Sequence, residues 1–248
     1  MSVFKIPTNF CDELRSMMSR FWWNHEERKR GISWVAWKKL CQPKGMGGMG
    51  FRDFKLFNLA LLGKQAWRLT TAIGSLWEQV MRARYYPNGV FMTANLGYNP
   101  SYIWRRLVEA RMVLDRGMRS RIGHDRSTRV WRDAWLPGTH TGRVISPCFN
   151  GNEDMLVSEL MTESTSWDVE RLSSLFLPFE KDRIANIRLS QHRPSDIWYW
   201  RMEKDEVYSV KSAYKLLAGR DGVEMSGASD WSREMWLWKR LWQVPVWP

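Results

Sequence analysis

The sequence lacks the features that define several common classes of protein. No apolar run approaches the roughly 20 residues that a helix needs to cross a bilayer. The first ten residues do not have the charged-then-apolar layout of a secretory signal. We therefore expect a protein that is not secreted, has no membrane partner and resides in the nucleus or cytoplasm.

Cysteine and histidine are scarce and widely spaced. The three cysteines, Cys11, Cys41 and Cys148, form no Cys-x-x-Cys pair, and their odd number argues against a disulfide framework. The four histidines are equally scattered. The sequence therefore predicts no metal site and no cofactor.

Tryptophan, by contrast, is abundant, with 17 in 248 residues and five among the last eighteen. An indole has a large apolar face and one N–H that needs a partner, so it suits half-buried surfaces and interfaces. Two interpretations stay open: stacking on nucleic-acid bases, or the aromatic core of a basic domain. The second is favoured because most of these tryptophans recur at amphipathic spacing.

Positive charge is concentrated in the first half of the chain. Residues 1–135 hold 24 Lys and Arg against 10 Asp and Glu, whereas residues 136–248 hold 14 against 16. Clustered Lys and Arg favour binding to polyanions through the release of counterions. The first half is therefore predicted to bind RNA or DNA without sequence preference, the alternative being a solvated basic surface.

Arginines crowd one predicted hairpin, which comprises two short strands in 121–131 about a Gly-His-Asp turn. The rigid fork of donors in arginine suits phosphate recognition, although edge strands also carry charge merely to block pairing. The predicted nucleic-acid-binding residues are the basic residues of this hairpin and of two upstream clusters: Arg28, Lys29, Arg30, Lys38, Lys39, Arg119, Arg121, Arg126, Arg129 and Arg132.

A glycine-rich stretch at 45–50 has GxGxxG spacing and raises the possibility of a phosphate cradle. It lacks the Gly-Lys-Ser/Thr ending of a P-loop, because Phe51 and Arg52 stand there instead. No strand is predicted before it. A tight turn that lets the backbone pass close to its neighbours is the favoured interpretation.

Helical periodicity and capping residues predict helices over most of the first half of the chain. Apolar residues of the first helix, at 14, 17, 18, 21 and 22, lie on one face and are expected to pack into the core. Asp53, Ser75 and Ser101 are predicted to begin further helices, and Ser209 a later one. A final aromatic helix is predicted from Ser232.

The fold class predicted is α+β, predominantly α. A basic helical region with small β-hairpins (1–135) precedes an irregular connector (136–195), and a short hairpin-helix unit opens the last part (196–248). The connector contains short amphipathic pieces near 156–161 and 167–176. The chain stops after a strong aromatic pattern, which we interpret as a truncation.

An ordered series of short motifs covers nearly the whole chain. The motifs are FWW at 21–23, WVAW at 34–37, KLCQPK at 39–44, GGMGF at 47–51, NLALLGKQAWR at 58–68, YYP at 85–87, PSYIW at 100–104, RIG at 121–123, RVW at 129–131, DAWLP at 133–137 and YSVKSAY at 208–214. Together they resemble the C-terminal region of plant LINE-type (non-LTR) retroelement reverse transcriptases. Residues 208–217 resemble the opening of the reverse transcriptase zinc-binding domain.

The departures from that family bear on activity. Polymerase chemistry needs paired aspartates that hold divalent metal, and the sequence contains no Asp-Asp pair. The resemblance therefore implies a non-catalytic fragment of such a reverse transcriptase, not an enzyme by itself, in which the zinc ligands would lie beyond residue 248. The alternative function is a protein-interaction module that docks on the missing polymerase domains through tryptophan-rich surfaces.

Overall fold

The computed structural model describes residues 4–23, 32–123, 128–139, 141–148, 152–162, 166–189 and 195–219. About half of these residues are helical, and two short strands form the one sheet found among them. The predicted α+β, predominantly α class is therefore confirmed. Arg28, Lys29, Arg30, Arg126 and the aromatic helix predicted from residue 232 lie outside the described residues.

Eight α-helices and two strands are defined in the described part of the chain. The helices are α1 (Thr8–Trp23), α2 (Trp37–Leu40), α3 (Phe54–Thr71), α4 (Leu76–Tyr85), α5 (Tyr102–Gly117), α6 (Val169–Leu175), α7 (Pro178–Ala185) and α8 (Val210–Leu217), and the strands are β1 (Met118–Arg121) and β2 (Ile197–Trp200). Short 3-10 turns occupy Lys44–Met46, Phe91–Thr93 and Val157–Leu160.

The predicted helix caps are present. The Asp53 carboxylate accepts hydrogen bonds from two backbone amides at the start of α3. The hydroxyls of Ser75, Ser101 and Ser209 each accept from the amide three residues on, at the starts of α4, α5 and α8. Each cap satisfies donors that a helix leaves without partners in its first turn.

The sheet differs from the predicted hairpin at 121–131. Strand β1 pairs antiparallel with the distant strand β2, with Met118 opposite Trp200 and Arg121 opposite Ile197. Residues 128–131 do not form the second strand, since Arg129 makes only an isolated bridge to Leu156. The prediction was wrong because the apolar face of β2 offers β1 a partner with a tryptophan, Trp200, that is completely buried.

Helices α3, α5 and α8 enclose the larger hydrophobic core. Trp104 and Trp200 are fully buried there, and Trp67 nearly so. The Trp200 Nε1 donates to Ser212 Oγ at 2.8 Å, and the Tyr208 hydroxyl donates to the Ala60 carbonyl at 2.8 Å. Each of these two buried polar groups thus has a partner, and the interpretation of these tryptophans as core residues is confirmed.

Helix α1 contradicts the predicted packing of its apolar face. Only Cys11 is buried, whereas Met17, Met18 and Phe21 are 58%, 41% and 85% exposed. Asn58 bonds the backbone of residues 4 and 6 just before the helix, and near its end Trp22 packs edge-on against Phe51. Periodicity reports that one face is apolar, but it does not supply the surface that would cover it.

A second, smaller core lies within residues 128–189. Trp135, Leu160, Leu172 and Ile184 are at its centre. The fully buried Glu180 carboxylate accepts from the amides of residues 145 and 146 and from the Ser146 hydroxyl. The amphipathic pieces predicted near 156–161 and 167–176 are confirmed as a 3-10 turn and α6.

Residues 196–219 pack with the larger hydrophobic core, because β2 and α8 contact β1, α3 and α5. The division of the chain into domains at 135 and 195 stays a prediction. None of the helices in the described ranges is both long enough and apolar enough to span a membrane.

Candidate nucleic-acid interface

The arginines of β1 occupy contrasting environments. Arg121 is 58% exposed, forms an ion pair with Glu206 and lies over the Tyr199 ring, with 5.3 Å between the guanidinium carbon and the ring centre. Arg119 is only 5% exposed and donates to the Met118 carbonyl at 2.7 Å. The Arg121 guanidinium is therefore accessible to a strand of nucleic acid, whereas the Arg119 side chain is buried beneath the surface.

Asp196 holds both ends of the segment that follows β1. Its carboxylate accepts from the Gly123 amide at 2.7 Å and from the Thr128 amide and hydroxyl at 3.1 and 2.7 Å. Thr128 is almost completely buried and also bonds Ser120 at 2.9 Å. A residue just before β2 thus fixes Gly123 and Thr128, the described residues on either side of 124–127.

Arg129 and Arg132 form an exposed basic pair on the C-terminal side of residues 124–127. Both approach the Asp154 carboxylate, at 3.7 and 3.5 Å, and Asp154 is itself 71% exposed. Surface ion pairs of this kind are weak and are screened by salt. The two guanidinium groups can therefore exchange Asp154 for a phosphate at little cost in free energy.

Asp133 holds the backbone of Arg129 in position. Its carboxylate accepts from the Arg129 amide at 2.7 Å. Burial raises the pKa of Asp133, and the hydrogen bond and nearby arginines only partly offset that effect.

Lys38 and Lys39 lie on α2, at a different part of the fold from the arginines of β1. Both side chains are exposed. Their helix is held by Trp37, which stacks on Phe51 with 5.0 Å between ring centres. Arg121, Arg129 and Arg132 thus flank residues 124–127 along the chain, whereas the two lysines lie on α2.

The glycine-rich stretch forms a tight turn, as predicted. The amides of Gly48 and Gly50 donate to the carbonyls of Pro43 and Gln42 at 3.1 and 2.8 Å. A Cβ on Gly48 would lie closer than 3.0 Å to the Gln42 carbonyl. These two amides face the protein's own backbone, and an acidic residue, Asp53, caps the helix that follows. Neither feature is suited to cradling a phosphate.

Three further arginines gather where α5 ends, and sequence reasoning missed them. Arg116, Arg143 and Arg201 line one cavity together with Asp115 and Thr141. Their positions are far apart along the chain, so no motif or spacing could have joined them.

No group of three or more His, Cys, Asp or Glu side chains that could hold a metal ion occurs in the described ranges. Whether the chain is catalytically inactive and free of zinc stays a prediction.

The fold and the surface define a basic, predominantly helical α+β protein. No protein-family model and no solved structure matches the chain. It is 44% identical to the uncharacterized mitochondrial protein AtMg00310 of Arabidopsis thaliana over 137 residues, which are 55% of this chain and 89% of that protein. The chain therefore belongs to the same family as that protein.

A second relative is the Arabidopsis thaliana protein At1g65750, which is named for ribonuclease H. The two are 26% identical over 226 residues, 88% of this chain but only 36% of that protein. The chain thus spans little more than a third of this longer relative. Both relatives are consistent with the resemblance to plant retroelement proteins.

Proposed function

We propose that the chain is a non-catalytic segment of a non-LTR retroelement reverse transcriptase that binds RNA or DNA through its basic surface. The observation that carries the proposal is the excess of 14 positive charges within residues 1–135. Exposed Arg121, Arg129 and Arg132 supply phosphate-binding groups around one anchored segment. Contacts of this kind give affinity but little sequence information.

At this surface the arginines form ion pairs with carboxylates, which a bound phosphate would have to replace. Arg121 faces Glu206, and Arg129 faces Asp154. A phosphate would replace these carboxylates as the partner of each guanidinium and would release counterions from the nucleic acid. Affinity should therefore fall steeply with salt.

The test replaces Arg121, Arg126 and Arg129 by alanine. A matched control replaces Arg171, Arg183 and Arg188, which removes the same charge from the region of the second core. Binding to RNA and DNA of several sequences is measured by fluorescence anisotropy across a salt series.

We expect the first triple variant to bind all sequences more weakly. Its plot of log affinity against log salt should flatten by about one unit for each phosphate that the variant no longer neutralises. The control should keep nearly the wild-type slope. Equal effects of the two variants would mean that only total charge matters, and an unchanged slope in the first would reduce this surface to a solvated edge.

The non-catalytic part of the proposal has its own measurement. The purified chain should neither extend a primer on an RNA template nor cut nucleic acid in the presence of magnesium or manganese. Incorporation of nucleotides that a chelator abolishes would contradict it.

A second function, docking on another protein domain, is favoured by the uncovered face of α1. Met17, Met18 and Phe21 present a row of apolar side chains, and Trp22 beside them is 38% exposed. Exposed apolar patches of this kind often mark interaction surfaces. Association through this face should be nearly insensitive to salt and should be lost in Phe21→Glu. Nucleic-acid binding should instead weaken steeply with salt and should be retained in Phe21→Glu.

A further inference from the structure

A cavity of about 390 Å³ opens at the end of α5, between the two cores. Arg116 belongs to the last turn of α5, and Arg201 directly follows β2. Arg143 lies in a loop of the part of the chain that forms the second core, residues 128–189. Asp115 and Thr141 complete the polar part of its wall. We call it the arginine cavity, and its volume is within the range of small-ligand sites.

Arg201 is held in place by the end of α5. Its amide donates to the Gly117 carbonyl at 3.0 Å, and its Nε donates to the Arg116 carbonyl at 3.3 Å. Carbonyl groups at the C-terminus of a helix favour a cation. The guanidinium is therefore positioned by the backbone, which reduces the entropy lost when it binds a ligand.

Arg119 adds a buried charge beneath the cavity. A Cβ on Gly142 would lie closer than 3.0 Å to the Arg119 Nε, so only glycine leaves room for the guanidinium there. Burial, together with the charges of Arg201 and Arg143, lowers the pKa of Arg119 to about 10. It stays protonated at neutral pH, and four guanidinium groups share one region of the fold.

Asp115 supplies the one carboxylate among the described residues of the cavity wall. Asp115 pairs with Arg143 at 3.3 Å, and both side chains are 47% exposed. Planar guanidinium groups bind phosphate through two parallel hydrogen bonds, and the hydroxyl of Thr141 adds a donor.

We propose that the arginine cavity binds a phosphate group, held by Arg116, Arg143 and Arg201. The source we favour is the backbone of a bound RNA or DNA strand, and this choice of source rests on the proposed function. The phosphate chemistry itself does not depend on it, since a free phosphate compound presents the same oxygens.

The experiment measures inorganic phosphate and a short single-stranded RNA separately, at constant ionic strength with chloride as the reference anion. Phosphate binding is followed by thermal shift and by broadening of the phosphorus NMR line. The variants are the double substitution Arg116→Gln with Arg143→Gln, and Asp115→Asn. The Arg171, Arg183 and Arg188 triple variant serves as control.

We expect the wild type and the control to bind phosphate equally. The double variant should bind it about tenfold more weakly. Asp115→Asn should bind it more tightly, because it removes a competing carboxylate while retaining the side-chain volume. This opposite effect separates loss of the site from loss of the fold, and unchanged urea midpoints check folding in every variant.

The outcomes distinguish phosphate binding in the arginine cavity from nucleic-acid binding by the basic surface. If the double variant weakens both phosphate and RNA binding, the cavity holds a nucleic-acid phosphate. If it weakens phosphate alone, the site stands and its source is a free phosphate compound. If phosphate binds no better than chloride, or binds the double variant as it binds the wild type, the proposal is overturned even where the surface arginines still bind RNA.

Discussion

Asp196 joins the start of β2 to both ends of the segment that carries Arg126, and Asp196→Ala would remove all three of the hydrogen bonds that make this connection. The Thr128 amide would lose its acceptor at a position that is 1% exposed, so water cannot replace it. The Thr128 hydroxyl would keep its bond to Ser120. The Gly123 amide, which is only partly buried, would regain some hydration.

The expected loss of stability follows from these differences. A buried donor without a partner costs about 1–3 kcal/mol, and a hydrogen bond to a charged acceptor contributes about 1.5–3 kcal/mol. Since one donor is stranded and two are partly compensated, we expect the free energy of unfolding to fall by about 2–4 kcal/mol. Asp196→Asn, which keeps one acceptor oxygen, should fall between this variant and the wild type.

The assay is urea denaturation followed by tryptophan fluorescence, with linear extrapolation to water. Glu153→Ala is the matched control, because it removes the same charge from an exposed side chain and should change the free energy by less than about 0.5 kcal/mol. An Asp196→Ala protein as stable as this control would refute the reasoning. The carboxylate would then not be what holds the segment.

Two further predictions test other parts of the fold. Gly48→Ala should lower the free energy of unfolding by about 1–3 kcal/mol, because its Cβ meets the backbone of Gln42; Gly89→Ala, where the space is open, should be neutral, and equal stability of the two variants would contradict the close approach. For Glu109, burial alone would raise its pKa, but hydrogen bonds and charges from Lys5 and Arg106 lower it below 4.5. The ion pairs should therefore stabilise the fold above about pH 4.5 and be lost as the pH falls through the folded pKa. Glu109→Gln should flatten the dependence of unfolding free energy on pH in that acid range, and an unchanged slope would argue against the pairing.

Much of the helical structure could be predicted from the sequence because its signals are local. The caps at Asp53, Ser75, Ser101 and Ser209 act on amides two or three residues away, so a short window contains both partners. The glycine turn was predicted for a similar reason. A stretch of glycines permits backbone conformations, such as the positive φ of Gly47, that other residues rarely adopt.

The surface was predicted only in part. The sequence correctly places Arg121, Arg129 and Arg132 near one segment, since they are neighbours along the chain. It also suggests Arg119, but cannot reveal that this side chain is buried while Arg121 is exposed. Whether these residues bind nucleic acid depends on a partner and stays a prediction.

Three features were decided by the tertiary structure alone. The strand β1 pairs with β2 rather than with residues nearby, the apolar face of α1 is left uncovered, and Arg116, Arg143 and Arg201 meet in one cavity. Composition, charge asymmetry, helix boundaries and turns follow from residues that are close in the chain. Partners distant in sequence are chosen by competition among all surfaces of the folded molecule, because a strand edge or an apolar face is complementary to more than one of them.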